Sequence, residues 1–136
     1  MGCAFCAIVS GAAAAEIVLD DEVALAFLDV KPLFVGHVLV VPREHVATLP
    51  DLPAAQLGAF FERVRRLAAA LPAALGAEGS FVAMNNAVSQ SVPHLHVHVV
   101  PRRKGDGLRG FFWPRTKYEG PEHARETAAK IRAALA

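Results

Sequence analysis

Residues 93–101 read Pro-His-Leu-His-Val-His-Val-Val-Pro, and this nine-residue segment restricts the fold more tightly than any other in the chain. Side chains on a β-strand alternate between its two faces. His94, His96 and His98 therefore share one face, while Leu95, Val97 and Val99 point into a hydrophobic core. Imidazole occupies every position of the face predicted to be exposed. Same-face neighbours lie about 6.5–7 Å apart, so the rings can act together on one small group. Like charges lower one another's pKa, so three adjacent imidazoles do not all carry a proton at neutral pH, and a neutral ring can serve as nucleophile or metal ligand. A three-histidine zinc site is the competing reading of the same spacing.

The remaining chain supplies partners for that strand. Cys3 to Ser10 reads as a short turn or helix ending near Gly11, and Glu16 to Leu19 and Val23 to Leu28 as two strands about an Asp20-Asp21 turn. Pro32 and Gly36 bracket a loop before the strand His37 to Val41, which Pro42 stops. Asp51 is the expected N-cap, with Pro53 in the first turn, of a long helix carrying Leu57, Phe60, Phe61, Val64, Leu67, Ala68 and Leu71 on one face. Pro72 ends or kinks it. Phe81 to Met84 and His94 to Val100 are the last strands, and Pro121 to Leu135 is a closing helix. Strands able to pair in sequence order, with one long helix, predict an α+β fold: an antiparallel sheet of about five strands, a long helix and a C-terminal helix. A single domain over 1–136 is expected, with its motif-bearing core at about 3–103 and a C-terminal loop and helix at 104–136.

Composition narrows the classes. The chain is 54% hydrophobic and 20% charged, which argues for a packed core and against disorder. A net charge of +1 gives no global attraction to nucleic acid or anionic membranes. The basic residues Arg102, Arg103, Lys104, Arg109, Arg115 and Lys117 read as a solvated face, so no nucleic-acid partner is expected. No apolar run is long enough to cross a bilayer, and the apolar N-terminus lacks a basic region, so a cytoplasmic location is expected. Cys3 and Cys6 form a C-x-x-C, which by itself is a redox couple, a metal site or two buried thiols. The Phe111-Phe112-Trp113-Pro114 cluster reads as packing, with Trp113 also within reach of a substrate or a partner copy, and His123 as a solvated helix residue.

His94-Leu95-His96-Val97-His98-Val99-Val100 resembles the signature of the histidine-triad (HIT) family. Cys3-Ala4-Phe5-Cys6-Ala7-Ile8, Leu25-Ala26-Phe27-Leu28-Asp29-Val30 and Gly36-His37-Val38-Leu39-Val40-Val41-Pro42 extend the resemblance upstream. It implies a nucleotide hydrolase or transferase acting at an α-phosphorus, on a nucleoside phosphoramidate or a dinucleoside polyphosphate. The alternative is a nucleotide- or zinc-binding module without turnover. The resemblance makes His96 the nucleophile, with His98 and His37 holding the phosphoryl oxygens and Ser91 serving the leaving group. It puts Asn85, and less directly Asn86, beside the phosphate. Asp29 falls on the ribose hydroxyls, and Phe5, Ile8, Phe27 and Val30 around the base. Cys3, Cys6, His45 and His94 match a structural zinc site in members that carry the cysteine pair. No organic cofactor is expected, and a homodimer with sheets joined across a two-fold axis is. One segment departs from the pattern: Asn85-Asn86-Ala87-Val88-Ser89-Gln90-Ser91-Val92 lacks the family's glycines and is about two residues shorter, so the leaving-group side is expected to differ.

Overall fold

A computed structural model describes residues 2–108 and 115–135. They fall into two compact units, one through Asp106 and one from Gly107 onward. Arg109 and the aromatic segment with Trp113 lie outside the described residues. The first unit carries helix α1 (Ala4–Val9), strands β1 (Ile17–Asp20), β2 (Ala24–Leu28) and β3 (Val38–Pro42), helix α2 (Ala54–Leu75), and strands β4 (Gly79–Ala83) and β5 (Val97–Arg102). The strands form one antiparallel sheet in the order β1-β2-β3-β5-β4. The second unit contains helix α3 (Pro121–Leu135). Together these give the expected α+β class. No helix among the described residues is long and apolar enough to cross a membrane.

The sheet buries both faces at its centre. Ala24, Ala26, Val38, Val40, Leu95, Val97 and Val99 pack with Phe60, Val64, Leu67 and Leu71 of α2. On the other face, Phe5 of α1 joins Leu25, Phe27, Leu39 and Val41. Leu95, Val97 and Val99 therefore face the core as expected, but the imidazole face is not solvent. His94 and His96 are 0% and 4% exposed, because α1 and the adjoining loops cover it. The ladder of β5 also starts only at Val97. His94 to His96 approach it as an extended segment fixed by the Leu95 N–H donating to the Val46 carbonyl at 2.7 Å.

Other boundaries shift for physical reasons. The N-cap of α2 is Pro53, not Asp51, because Asp51 ends a 3-10 turn at Leu49–Asp51. The Asp51 carboxylate accepts there from the Thr48 amide (3.1 Å) and hydroxyl (2.7 Å). Pro72 does not end α2, which continues to Leu75 with Leu71 buried and Gly76 left-handed at φ 67°. The Arg103 guanidinium donates to the Leu75 carbonyl, satisfying one group at that end. Leu57, placed on the buried stripe, is 38% exposed one turn from the start of the helix. β5 runs through Pro101 because β3 pairs only with Val97–Val99, so the missing proline N–H falls beyond β3's reach.

Phe60 is fully buried between α2 and the sheet. Phe60→Ala is expected to lower unfolding stability by ~3–5 kcal/mol, read as a fall in the urea midpoint with an unchanged slope.

Candidate active site and metal centre

Three imidazoles meet where β3 and β5 lie side by side, with Leu39 opposite His98 in the ladder. Gly36, at φ 100°, turns the chain into His37 in a conformation that L-residues with a Cβ rarely adopt, and an added Cβ would run into Leu75 Cδ1. The loop it closes folds back, so that the Leu33 N–H donates to His37 Nδ1 at 3.0 Å. A ring nitrogen that accepts a hydrogen bond carries no proton, so a neutral His37 keeps its hydrogen on Nε2. That Nε2–H donates to His98 Nδ1 at 2.9 Å, which in turn leaves the His98 hydrogen on Nε2. His96 has the opposite tautomer. Its Nδ1–H donates to the His94 carbonyl at 2.7 Å, and the lone pair is on Nε2. His94 donates from Nε2 to the Pro42 carbonyl at 3.0 Å, which leaves its Nδ1 as a ligand atom.

Burial favours the neutral form of His37 and His98. It pushes the His37 pKa below the usual imidazole value, with Asp29 opposing it only in part. His98 falls to about 4, through burial first and then the neighbouring His96 and His37. At neutral pH His98 is therefore an N–H donor and not a cation.

His96 and His98 open onto a cavity of about 320 Å³. Its lining also includes Phe5, Ile8, Phe27, Asp29, Val30 and Ser91, which puts eight of the expected residues around one space. The Phe5 ring meets Phe27 and His96 edge-on, at centroid distances of 5.4 and 5.0 Å. Val30, 91% exposed, sits at the rim. Asp29 Oδ1 accepts the Lys31 N–H at 2.9 Å, and its Oδ2 lies 3.7 Å from His37 Nε2. His37 stands behind His98 and does not itself line the cavity. Leu39, Val92, Ala14 and Ala15 also line it without having been singled out in the sequence. Only Leu39 carried a signal, being two residues from His37 in the segment expected to be a strand.

Asn85 does not line this cavity. Its amide Nδ2 donates to the Ser89 carbonyl at 3.1 Å, which braces its own loop. Asn86 Oδ1 accepts the Leu49 N–H at 2.7 Å, and Gln90 joins the Ala87 N–H to the Ala47 carbonyl. The glycine-poor segment keeps left-handed turns nonetheless, at Ala87 (φ 68°) and Ser89 (φ 60°). Each costs a non-glycine residue about 1–2 kcal/mol, which the side-chain amides offset. Arg102 and Arg103 are not aimed at the cavity: Arg102 pairs with Asp106, and Arg103 donates to the Leu75 carbonyl. His123 is exposed on α3, and its Nδ1 accepts the Glu119 N–H at 3.1 Å.

A second cluster joins α1 to the segment that leads into β5. Cys3, Cys6, His45 and His94 bring one ligand atom each within 4.8 Å of one another. Cys3 Sγ and Cys6 Sγ both lie 3.5 Å from His94 Nδ1. Cys6 Sγ is 3.3 Å from His45 Nδ1, and the two Nδ1 atoms are 3.2 Å apart. Tetrahedral zinc with ordinary bond lengths requires S···N edges of about 3.5–3.6 Å and an N···N edge of about 3.3 Å, so the donor set fits such an ion. The Pro42 carbonyl supplies the outer hydrogen bond that orients the His94 ring. Asp29, His37 and His98 form a second gathering of comparable size. There the Leu33 N–H keeps the His37 proton on Nε2, the atom that would have to bind the ion, and the arrangement is a hydrogen-bond relay.

Residues 10–105 match the HIT domain. An uncharacterized HIT-like protein of Methanocaldococcus jannaschii is 39% identical over 107 residues, covering 77% of this chain and 82% of its own. The adenosine 5'-monophosphoramidase of Schizosaccharomyces pombe is 33% identical, covering 84% of each chain. The asymmetrical bis(5'-nucleosyl)-tetraphosphatase of the same yeast is 34% identical over 67% of this chain and 51% of its own. Among solved structures, a HIT family protein from Bacillus subtilis superposes with a TM-score of 0.90 at 31% identity, covering 100% and 99% of the two chains. A zinc-bound histidine triad family protein from Mycobacterium smegmatis gives a TM-score of 0.75 at 37% identity and covers 98% of each. The triad leading into β5, the cavity that His96 and His98 line and these likenesses place the chain in the HIT family.

Proposed function

We propose that the protein releases a nucleoside monophosphate from a nucleoside phosphoramidate by way of a nucleotidyl-His96 intermediate. The observation that carries this reading is the tautomer of His96, whose Nδ1–H is held by the His94 carbonyl while Nε2 keeps its lone pair beside the cavity. In the first step Nε2 attacks the α-phosphorus and the phosphorus–nitrogen bond to the leaving group breaks. The departing amine keeps the electron pair and takes up a proton from solvent, which the attacking water returns in the second step. The His98 Nε2–H, oriented through His37, donates to a non-bridging oxygen, where charge grows in the transition state. Water then attacks the same phosphorus, frees His96 Nε2 and yields the monophosphate. Asp29 accepts from the ribose hydroxyls, Phe5, Ile8, Phe27 and Val30 enclose the base, and Ser91 lies on the leaving-group side. The related nucleotide hydrolases support the substrate class. The cavity lining has no lysine or arginine among the described residues, which favours an amine over a polyphosphate leaving group.

The same reading gives Cys3, Cys6, His45 and His94 a structural zinc ion, which supplies a cross-link and no bond-making step. It also gives a homodimer joined along the edge strand β4, to be checked by sedimentation at about twice the 14.5 kDa chain mass.

With adenosine and guanosine phosphoramidates and two diadenosine polyphosphates as substrates, monophosphate release is expected to be fastest from a phosphoramidate. His96→Ala should reduce it by at least ~10³-fold while nucleotide still binds. Release unaffected by the substitution would overturn the mechanism, and a folded protein that binds nucleotide without releasing any would be the binding module instead.

His98 also makes stability depend on pH. Its folded-state pKa of about 4 lies below the ordinary imidazole value of 6.5, so between these pH values the unfolded chain binds more protons. The stability present above pH ~6.5 should be lost as the pH falls toward ~4, a trend that His98→Asn should flatten in urea titrations.

A further inference from the structure

The metal cluster and the nucleotide cavity share two connections. The first is α1. Cys3 and Cys6 flank Ala4 and Phe5, and Ala4, Phe5 and Ile8 form one wall of the cavity. A six-residue helix does not persist by its own hydrogen bonds, so this wall depends on what holds it to the sheet. The Phe5 ring, 8% exposed, and the two thiols at either side of it are such attachments. The second connection is His94. Its ring presents Nδ1 to both thiols, and its carbonyl holds the Nδ1–H of His96 at 2.7 Å. Phe5 touches both histidines, with centroid distances of 6.1 Å to His94 and 5.0 Å to His96.

We infer that metal occupancy of Cys3, Cys6, His45 and His94 and nucleotide occupancy of the adjoining cavity strengthen each other through Phe5 and His94. The inference rests on the zinc and nucleotide readings given above. An ion on the four ligands fixes the ends of the segment that carries Phe5 and fixes the residue whose carbonyl positions His96. A nucleotide packed on Phe5 and Ile8 holds the same segment against the sheet and keeps the thiols facing the two imidazoles. Coupling between two sites is reciprocal in free energy, so each ligand must tighten the other by one common factor. That factor should be about 10-fold, within the usual range of such couplings.

The test begins with the zinc-loaded wild-type protein, competed to equilibrium against a chromogenic chelator with and without saturating adenosine 5'-monophosphate. Zinc should be held about 10-fold more tightly with the nucleotide, and calorimetry should show the nucleotide bound about 10-fold more weakly by metal-stripped protein. Circular dichroism of the stripped protein should still show the sheet and α2, whose shared core contains none of the four ligands. Phe5→Leu should keep one equivalent of zinc and lose most of the common factor. Zinc and nucleotide that both bind, each indifferent to the other, would overturn the coupling alone. The full factor surviving in Phe5→Leu would trace it to general stabilisation and overturn the route. A protein that takes up no zinc, or binds no nucleotide, would fail at the reading beneath and take the coupling with it.

Discussion

The centre of this sheet is buried on both sides, and one side is lined with imidazoles. That constraint governs the rest of the site. Hydrocarbon on the α2 face needs only complementary shape, but a ring nitrogen taken out of water must find a partner or weaken the fold. His37, His94, His96 and His98 each find one, on a backbone amide, a backbone carbonyl or another ring. No buried side-chain nitrogen or oxygen among the described residues lacks a partner. Satisfying these atoms also decides which nitrogen of each ring is protonated, so packing and chemical readiness follow from the same few bonds.

A preference of His37 and His98 for the neutral form is the second outcome of that burial. A cluster of charged imidazoles would bind phosphate strongly before and after reaction. Neutral N–H donors bind it more weakly in the ground state and gain most where negative charge accumulates. The cavity is otherwise apolar apart from Asp29 and Ser91, which suits a ligand that presents a flat base at one end and an anion at the other.

Much of this was legible in the sequence because it rests on periodicity. The alternation from His94 to Val100 fixed which residues pack under α2, and the stripe from Phe60 to Leu71 fixed the face of the helix that meets them. What escaped depends on contacts between distant segments. The Leu33 amide on His37 comes from an irregular loop and has no residue-type signature. Asp51 looks like a helix cap until Thr48 is seen to claim its carboxylate. Burial of His94 and His96 could not be read from β5 alone, since it is α1, some ninety residues earlier, that covers them. Likeness puts Asn85 beside the phosphate, but its amide donates to the Ser89 carbonyl and holds its own loop together.

That loop has a further consequence. A loop built on glycine changes shape readily. Here Ala87 and Ser89 hold strained backbone angles, and three amide side chains fix them, two reaching across to residues 47 and 49. The loop that leads into Ser91 is thus braced partly by a segment that never touches the cavity. Those two bonds end on the backbone of Ala47 and Leu49, so the course of the chain into Ser91 depends on Asn86 and Gln90, two side chains well apart from the histidines.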